Sequence, residues 1–301
     1  MNAGKEHFRF RQANDGSGRA PSLQIQQSWW AMTQIGRPGI TTEEKFEMIA
    51  EAGYDGILSR FPQGADAASW RALLDHHRFS FGVNALFYPH EDNRDFFKQA
   101  ADLGALYVTG QVMGYYMPEA EQVAYVEQLY EFAERAGVPF FVETHRMCVT
   151  QDLLRSVQLV ERLAKLQLTI DLSHYAVAGV IVDNEAPHAD YFSRLLSRAS
   201  SIHGRISNGH QVQIDLGPNG EHPLVPLYEE WWANGMRTWL QEAAPGDVFP
   251  FVTELGPADY AIRATSGETG LPGDEISDRW QQALLLQQIG RRAWQRANSP
   301  S

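Results

Sequence analysis

Four ionisable residues close successive apolar runs of this chain: Glu143 after PFFV, Asp171 after LQLTI, His203 after SSI and Glu254 after FPFVT. Burying a carboxylate or an imidazole without a partner costs roughly several kcal/mol, so four in register imply a shared partner rather than four separate accidents. Three carboxylates and one imidazole form a mixed oxygen–nitrogen donor set suited to one divalent metal: Mn2+, Mg2+, Co2+ or Zn2+. Cys148 is the only cysteine, which excludes a thiolate cluster and an intrachain disulfide.

Further groups surround those four. His174 lies three positions past Asp171, where it could act as a base behind the metal ligands, as a substrate ligand or as a ligand for a second metal. Arg205 falls two residues after His203, on the same face of a strand, and could hold a substrate oxygen, carboxylate or phosphate. His145, a candidate substrate-binding residue, and Arg146 follow Glu143 directly, Arg146 being as readily a salt bridge at the rim as a ligand. His210 and Gln213 lie in the stretch after the seventh run and could close over substrate, and Trp30 could stack on the apolar face of a sugar.

Something must bring these residues together. Eight apolar runs recur, at 23–32, 54–58, 79–88, 105–111, 138–144, 166–172, 200–206 and 248–255, and the interior ones are rich in Val, Ile and Phe, as buried parallel strands are. Helical patterns alternate with them. Thr41 caps the first, with an acidic first turn and Gly53 as its stop; a second runs over 118–135 and stops at Gly137; Thr150 caps 151–163; 278–297 forms a long C-terminal helix. Strand–helix alternation with eight repeats predicts an α/β fold, a single (β/α)8 TIM barrel over 23–301, preceded by a polar, flexible N-terminal arm over 1–22. Irregular stretches at 111–117 and 207–225 follow strands, which places them on the C-terminal face, where barrels keep their active sites.

Composition narrows the class. The chain has 301 residues, 44% of them hydrophobic, enough for a large core. Its formal net charge of −12 argues against nucleic-acid and anionic-membrane partners. The first 22 residues hold no continuous apolar stretch and no segment is long and apolar enough to span a bilayer, so a cytoplasmic protein is expected. No G-x-S-x-G elbow, P-loop, G-x-G-x-x-G after a strand or H-E-x-x-H is present. Leu284, Leu285, Leu286 and Ile289 of the final helix could dock on the barrel or on another subunit, making a homo-oligomer.

Taken together, the segments Glu-Ala-Gly-Tyr-Asp-Gly (51–56), Val-Glu-Thr-His-Arg (142–146), Asp-Leu-Ser-His (171–174), Ile-His-Gly-Arg (202–205) and Thr-Glu-Leu-Gly-Pro (253–257) resemble the xylose-isomerase-like TIM-barrel family, the sugar phosphate isomerase/epimerase group. The resemblance implies one divalent metal, commonly Mn2+ or Mg2+, on Glu143, Asp171, His203 and Glu254, with Glu143 and Glu254 also serving as the acid/base pair. It implies a small sugar or keto-sugar substrate. The mechanism expected on such a site is proton abstraction beside a carbonyl through an enediolate, with His174 positioning or relaying the proton and Arg205 anchoring a substrate oxygen. In the ketose 3-epimerases of the group the arginine falls further past the histidine than Arg205 does, so the resemblance is to a different branch. A keto-sugar lyase or dehydratase on the same site, a non-catalytic sugar-binding barrel and an abasic-site endonuclease-like phosphodiesterase are the alternatives. The nearest approach to a phosphate-binding glycine nest is Asn208-Gly209, which points to an unphosphorylated substrate.

Overall fold

The computed structural model describes residues 11–63, 66–257, 259–265 and 272–299. Eight parallel strands close into one barrel in sequence order: β1 (Ser22–Ser28), β2 (Gly56–Ser59), β3 (Ser80–Phe87), β4 (Tyr107–Val112), β5 (Phe140–Glu143), β6 (Leu168–Ile170), β7 (Ala199–Gly204) and β8 (Val248–Thr253). β8 pairs with β1 from Ser22 opposite Val248 to Gln27 opposite Thr253, which completes the ring. A two-stranded antiparallel ribbon, β9 (Arg263–Thr265) with β10 (Pro272–Glu275), follows the barrel; nothing in the periodicity foretold it.

The helices are α1 (Thr42–Glu51), α2 (Asp66–His77), α3 (Arg94–Asp102), α4 (Glu119–Ala136), α5 (Leu153–Arg162), α6 (Ser173–Gly179), α7 (His188–Leu196), α8 (Val225–Leu240) and α9 (Arg279–Asn298). Thr41 and Glu44 form a reciprocal capping box at the start of α1. Gly137 ends α4 at φ +79°, a left-handed conformation that a side chain would disfavour. Two sequence expectations shift. The run over 23–32 divides into β1 and a short 3-10 turn, Trp30–Met32. The cap of α5 is Asp152, whose side chain accepts from the Arg155 N–H, and not Thr150. Thr150 instead donates its hydroxyl to the Glu143 carbonyl (2.6 Å) and accepts from the His145 N–H (3.2 Å), so it fastens the turn that carries Glu143.

The main core lies between the sheet and the helices, with Trp231 and Trp232 fully buried in it. α9 packs on this chain's own barrel, burying Ala283, Leu286, Ile289 and Ala293. A second, smaller cluster holds Leu58, Tyr107, Phe141, Val248 and Val252 together with Ala13 of the N-terminal segment. The polar composition of the arm over 1–22 suggested a free tail; residues 1–10 lie outside the described residues, and residues 11–21 are fastened to the barrel. Ala13 is fully buried, Asn14 bridges to Asp247 just ahead of β8, and Trp239 of α8 donates to Gln12 (2.8 Å). Small size at Ala13 and side-chain amides at Gln12 and Asn14 allow this docking, which a composition average cannot reveal. Among the described residues no helix is long and apolar enough to cross a membrane.

Candidate metal centre

Side chains alternate along a strand, so one parity of each barrel strand faces inward. Tyr107 and Phe141, clustered with Leu58 and Val252, set that parity. Two residues on from Phe141 stands Glu143, and two on from Val252 stands Glu254. Thr109, Thr169 and Ser201 meet through hydroxyl hydrogen bonds, Thr109–Thr169 at 2.7 Å and Ser201–Thr169 at 3.2 Å. Asp171 follows Thr169 by two, while His203 and Arg205 follow Ser201 by two and four. The same step from Thr109 brings in Gln111. The whole constellation is thus a consequence of period-two alternation at the C-terminal end of the barrel.

Glu143, His203 and Glu254 each offer a ligand atom within 4.8 Å of the others, and all three are buried. His203 Nδ1 lies 3.1 Å from Glu254 Oε2 and 3.5 Å from Glu143 Oε1. Yet neither ring nitrogen of His203 has a hydrogen-bond partner, because the carboxylates are close without being aligned on an N–H. A fully buried imidazole with two unsatisfied nitrogens, one of them facing two carboxylates, fits a divalent cation seated between the three groups. Burial opposes a charge on His203, but Glu254 and Glu143 outweigh it and raise its pKa to about 10. For Glu254 burial again opposes the charge, and His203 and Arg205 overcome it, holding the carboxylate at about 2. Gln111 Nε2 reaches Glu143 Oε1 at 3.4 Å.

Asp171 stands beside this trio. Its Oδ1 accepts from the Ser173 N–H (2.9 Å) and hydroxyl (2.6 Å), and its Oδ2 is ion-paired with Arg205 Nη2. Thr144 Oγ1 accepts from the Asp171 N–H (2.7 Å) and donates to its carbonyl (3.0 Å), clamping the ends of β5 and β6 together. The Arg205 Nη2 that holds Asp171 is also 3.6 Å from Glu254 Oε2, so one guanidinium links Asp171 to the trio. His174 Nε2 accepts from the same Nη2 (3.2 Å), and the His174 and His145 rings meet edge to face at 4.1 Å. Burial, then the nearby Arg205, His145 and Arg146, push the His174 pKa well below the usual imidazole range. Arg205 Nη1 is buried with no hydrogen-bond partner.

The other expected residues divide. Trp30 is 39% exposed and packs edge-on against Tyr260 at 5.2 Å, at the mouth of the site. Gly256 permits that contact, since a Cβ there would come within 2.5 Å of Trp30 and 2.6 Å of Tyr260. Gln213 faces the protein: its amide accepts from the Gly256 N–H (2.7 Å) and donates to the Gly256 carbonyl (3.2 Å). His210 is exposed, and its backbone N–H donates to Asn208 Oδ1. Sequence reasoning missed Gln111, which strand alternation could have supplied, and Tyr260, which sits in an irregular segment with no pattern to read. The rings of Tyr260 and two guanidiniums converge, Arg146 Cζ at 5.1 Å and Arg205 Cζ at 5.0 Å from the Tyr260 centroid.

No family model and no curated protein sequence matches the chain. Solved structures do. A D-allulose 3-epimerase from Methylomonas sp. is similar over 95% of this chain and 100% of its own, at 14% identity and a TM-score of 0.55. A xylose isomerase-like TIM barrel protein from Mycobacterium smegmatis in complex with magnesium is similar over 91% of this chain and 98% of its own, at 11% identity and a TM-score of 0.56. A probable 3-DHS dehydratase from Bacillus anthracis is similar over 88% and 98%, at 13% identity and a TM-score of 0.54. The chain therefore shares a (β/α)8 barrel fold with these proteins. At these identities the likeness is one of fold.

Proposed function

We propose that this protein is a sugar isomerase or epimerase dependent on one divalent metal, Mn2+ or Mg2+. The observation that carries the reading is the buried trio of Glu143, His203 and Glu254, with both His203 nitrogens lacking hydrogen bonds. Those three would hold the ion, with Asp171, now paired to Arg205, as the fourth donor. An ion there supplies Lewis acidity, polarising a substrate carbonyl and acidifying the neighbouring C–H. The fold neighbours named as an epimerase and as a magnesium-bound barrel support the same class.

The chain's own groups do the proton work. Glu254, ionised across the physiological range, takes the proton beside the carbonyl, and Glu143 at the end of β5, three strands away in the ring, returns it on the other face or carbon. Arg205 offers the unbonded Nη1 to a substrate oxygen. Neutral His174, its Nε2 accepting from Arg205, orients that guanidinium and can relay a proton through its other nitrogen. Trp30 and Tyr260 supply apolar surface for a sugar face and narrow the mouth. The test is incubation of metal-loaded protein with a panel of keto sugars in deuterated water. Deuterium entering at the carbon beside the carbonyl, with substrate mass otherwise unchanged, supports isomerisation or epimerisation. Loss of water or of a substituent makes the protein a lyase or dehydratase, and no exchange with any sugar contradicts the proposal.

A further inference from the structure

Resting on that reading, we infer that the substrate carries a carboxylate, held by Arg205 together with Arg146. Arg205 is 1% exposed, yet its Nη1 has no hydrogen-bond partner although its Nη2 and Nε are bonded to Asp171, His174 and Ser173. A buried guanidinium nitrogen left open at the edge of a site is a donor awaiting a ligand oxygen. Arg146 is exposed and makes no ion pair among the described residues; its guanidinium rests on Tyr260, the ring that also carries Arg205. Both cations are therefore gathered at one rim.

The charges at the site agree. Three buried carboxylates, Glu143, Asp171 and Glu254, are balanced once a divalent ion joins Arg205, and Arg146 at the mouth is then a positive charge left over. A neutral sugar leaves that charge and the open Nη1 unmatched, whereas an anionic group answers both. Carboxylate fits better than phosphate. Phosphate sites draw on a nest of free backbone N–H groups, and in the loop after β7 those groups are already committed. The Gly209 N–H donates to Ser207 Oγ (3.0 Å), and the His210 and Gln211 N–H groups donate to Asn208 Oδ1 (3.0 and 2.7 Å).

The test is calorimetric binding at fixed ionic strength to metal-loaded protein, with metal content measured on the same samples. The probes are D-fructose, D-fructose 6-phosphate and 5-keto-D-gluconate. The keto acid is expected to bind at least tenfold more tightly than the neutral ketose and more tightly than the phosphate. That preference should shrink at least threefold in Arg146→Gln and vanish in Arg205→Gln. If Arg205→Gln does not fold by circular dichroism, the exposed Arg146→Gln decides alone. Equal affinities, tighter binding of the phosphate, a preference unchanged in the variants, or no binding of the keto acid overturns the inference. Metal bound with no keto-acid preference removes this inference and leaves the metal centre standing. Absence of metal removes the proposed function together with the charge balance on which this inference rests, so the metal content of each sample tells the two failures apart.

Discussion

Replacing Gln213 by leucine separates a residue that positions the site from one that touches substrate. Gln213 is 9% exposed, and its amide makes two hydrogen bonds to Gly256, two residues beyond Glu254. Leucine fills similar space but leaves the Gly256 N–H and carbonyl unpaired. A buried group left without its partner costs about 1–3 kcal/mol, so the pair costs about 2–4 kcal/mol, allowing for partial access of water to the loop. With an unfolding entropy of about 2.1 cal/mol/K per residue, such a loss lowers Tm by about 3–6 °C. The same change frees the backbone behind Glu254, so affinity for Mn2+ should fall about tenfold, as it does when a group supporting a ligand is removed. Urea unfolding and chelator competition measure the two effects. Gln211→Ala, in the exposed part of the same loop, serves as the control and should change stability by less than about 0.5 kcal/mol. If Gln213→Leu leaves both stability and metal affinity intact and raises only KM, the amide serves the substrate and the positioning role is wrong.

Other outcomes follow from the same geometry. Glu254→Gln should leave the circular dichroism spectrum unchanged and lower deuterium exchange by about 10^2–10^4, as loss of a general base does; exchange at the wild-type rate would remove Glu254 from the proton transfer. Asp171→Asn takes the main counter-ion from a buried arginine and should cost about 3 kcal/mol in urea unfolding, at the low end for such a loss because Glu254 Oε2 remains 3.6 Å from Arg205. A cost under about 1 kcal/mol would show that Arg205 does not depend on Asp171. For His174, burial, followed by Arg205, His145 and Arg146, lowers the folded-state pKa, so below about pH 6.5 the unfolded chain binds a proton that the folded one refuses. Stability should therefore fall with decreasing pH from 6.5 down to the depressed pKa, by about 1.4 kcal/mol per pH unit from this group. His174→Gln should make that acid limb shallower by one proton, and an unchanged slope would contradict a neutral His174.

The legibility of this chain followed from alternation. Glu143, His203 and Glu254 could be read from sequence because each ends an apolar run, and a closed parallel barrel turns every such end toward one axis. Gln111 obeys the same rule two residues on from Thr109 inside β4, and was passed over because it is a neutral amide rather than an ionisable group. Asp171 was placed correctly on its strand end, while its pairing with Arg205 depends on the distance between two neighbouring strands and on the reach of a guanidinium, neither of which is written in spacing. Gln213 and Tyr260 lie in segments without period, where chain direction is set by tertiary contacts such as the Gly256 approach. The described part of the N-terminal arm, residues 11–21, illustrates the converse. Its average polarity hid a single small residue, Ala13, that fits into the barrel's inner cluster.

Elemental analysis of the purified protein after incubation with Mn2+, for the wild type and for His203→Ala, bears most directly on the metal centre. One equivalent of bound metal in the wild type and none in the variant is the expected result. A wild-type protein that takes up no divalent metal, or a His203→Ala variant that keeps its full equivalent, would contradict a centre built on Glu143, His203 and Glu254.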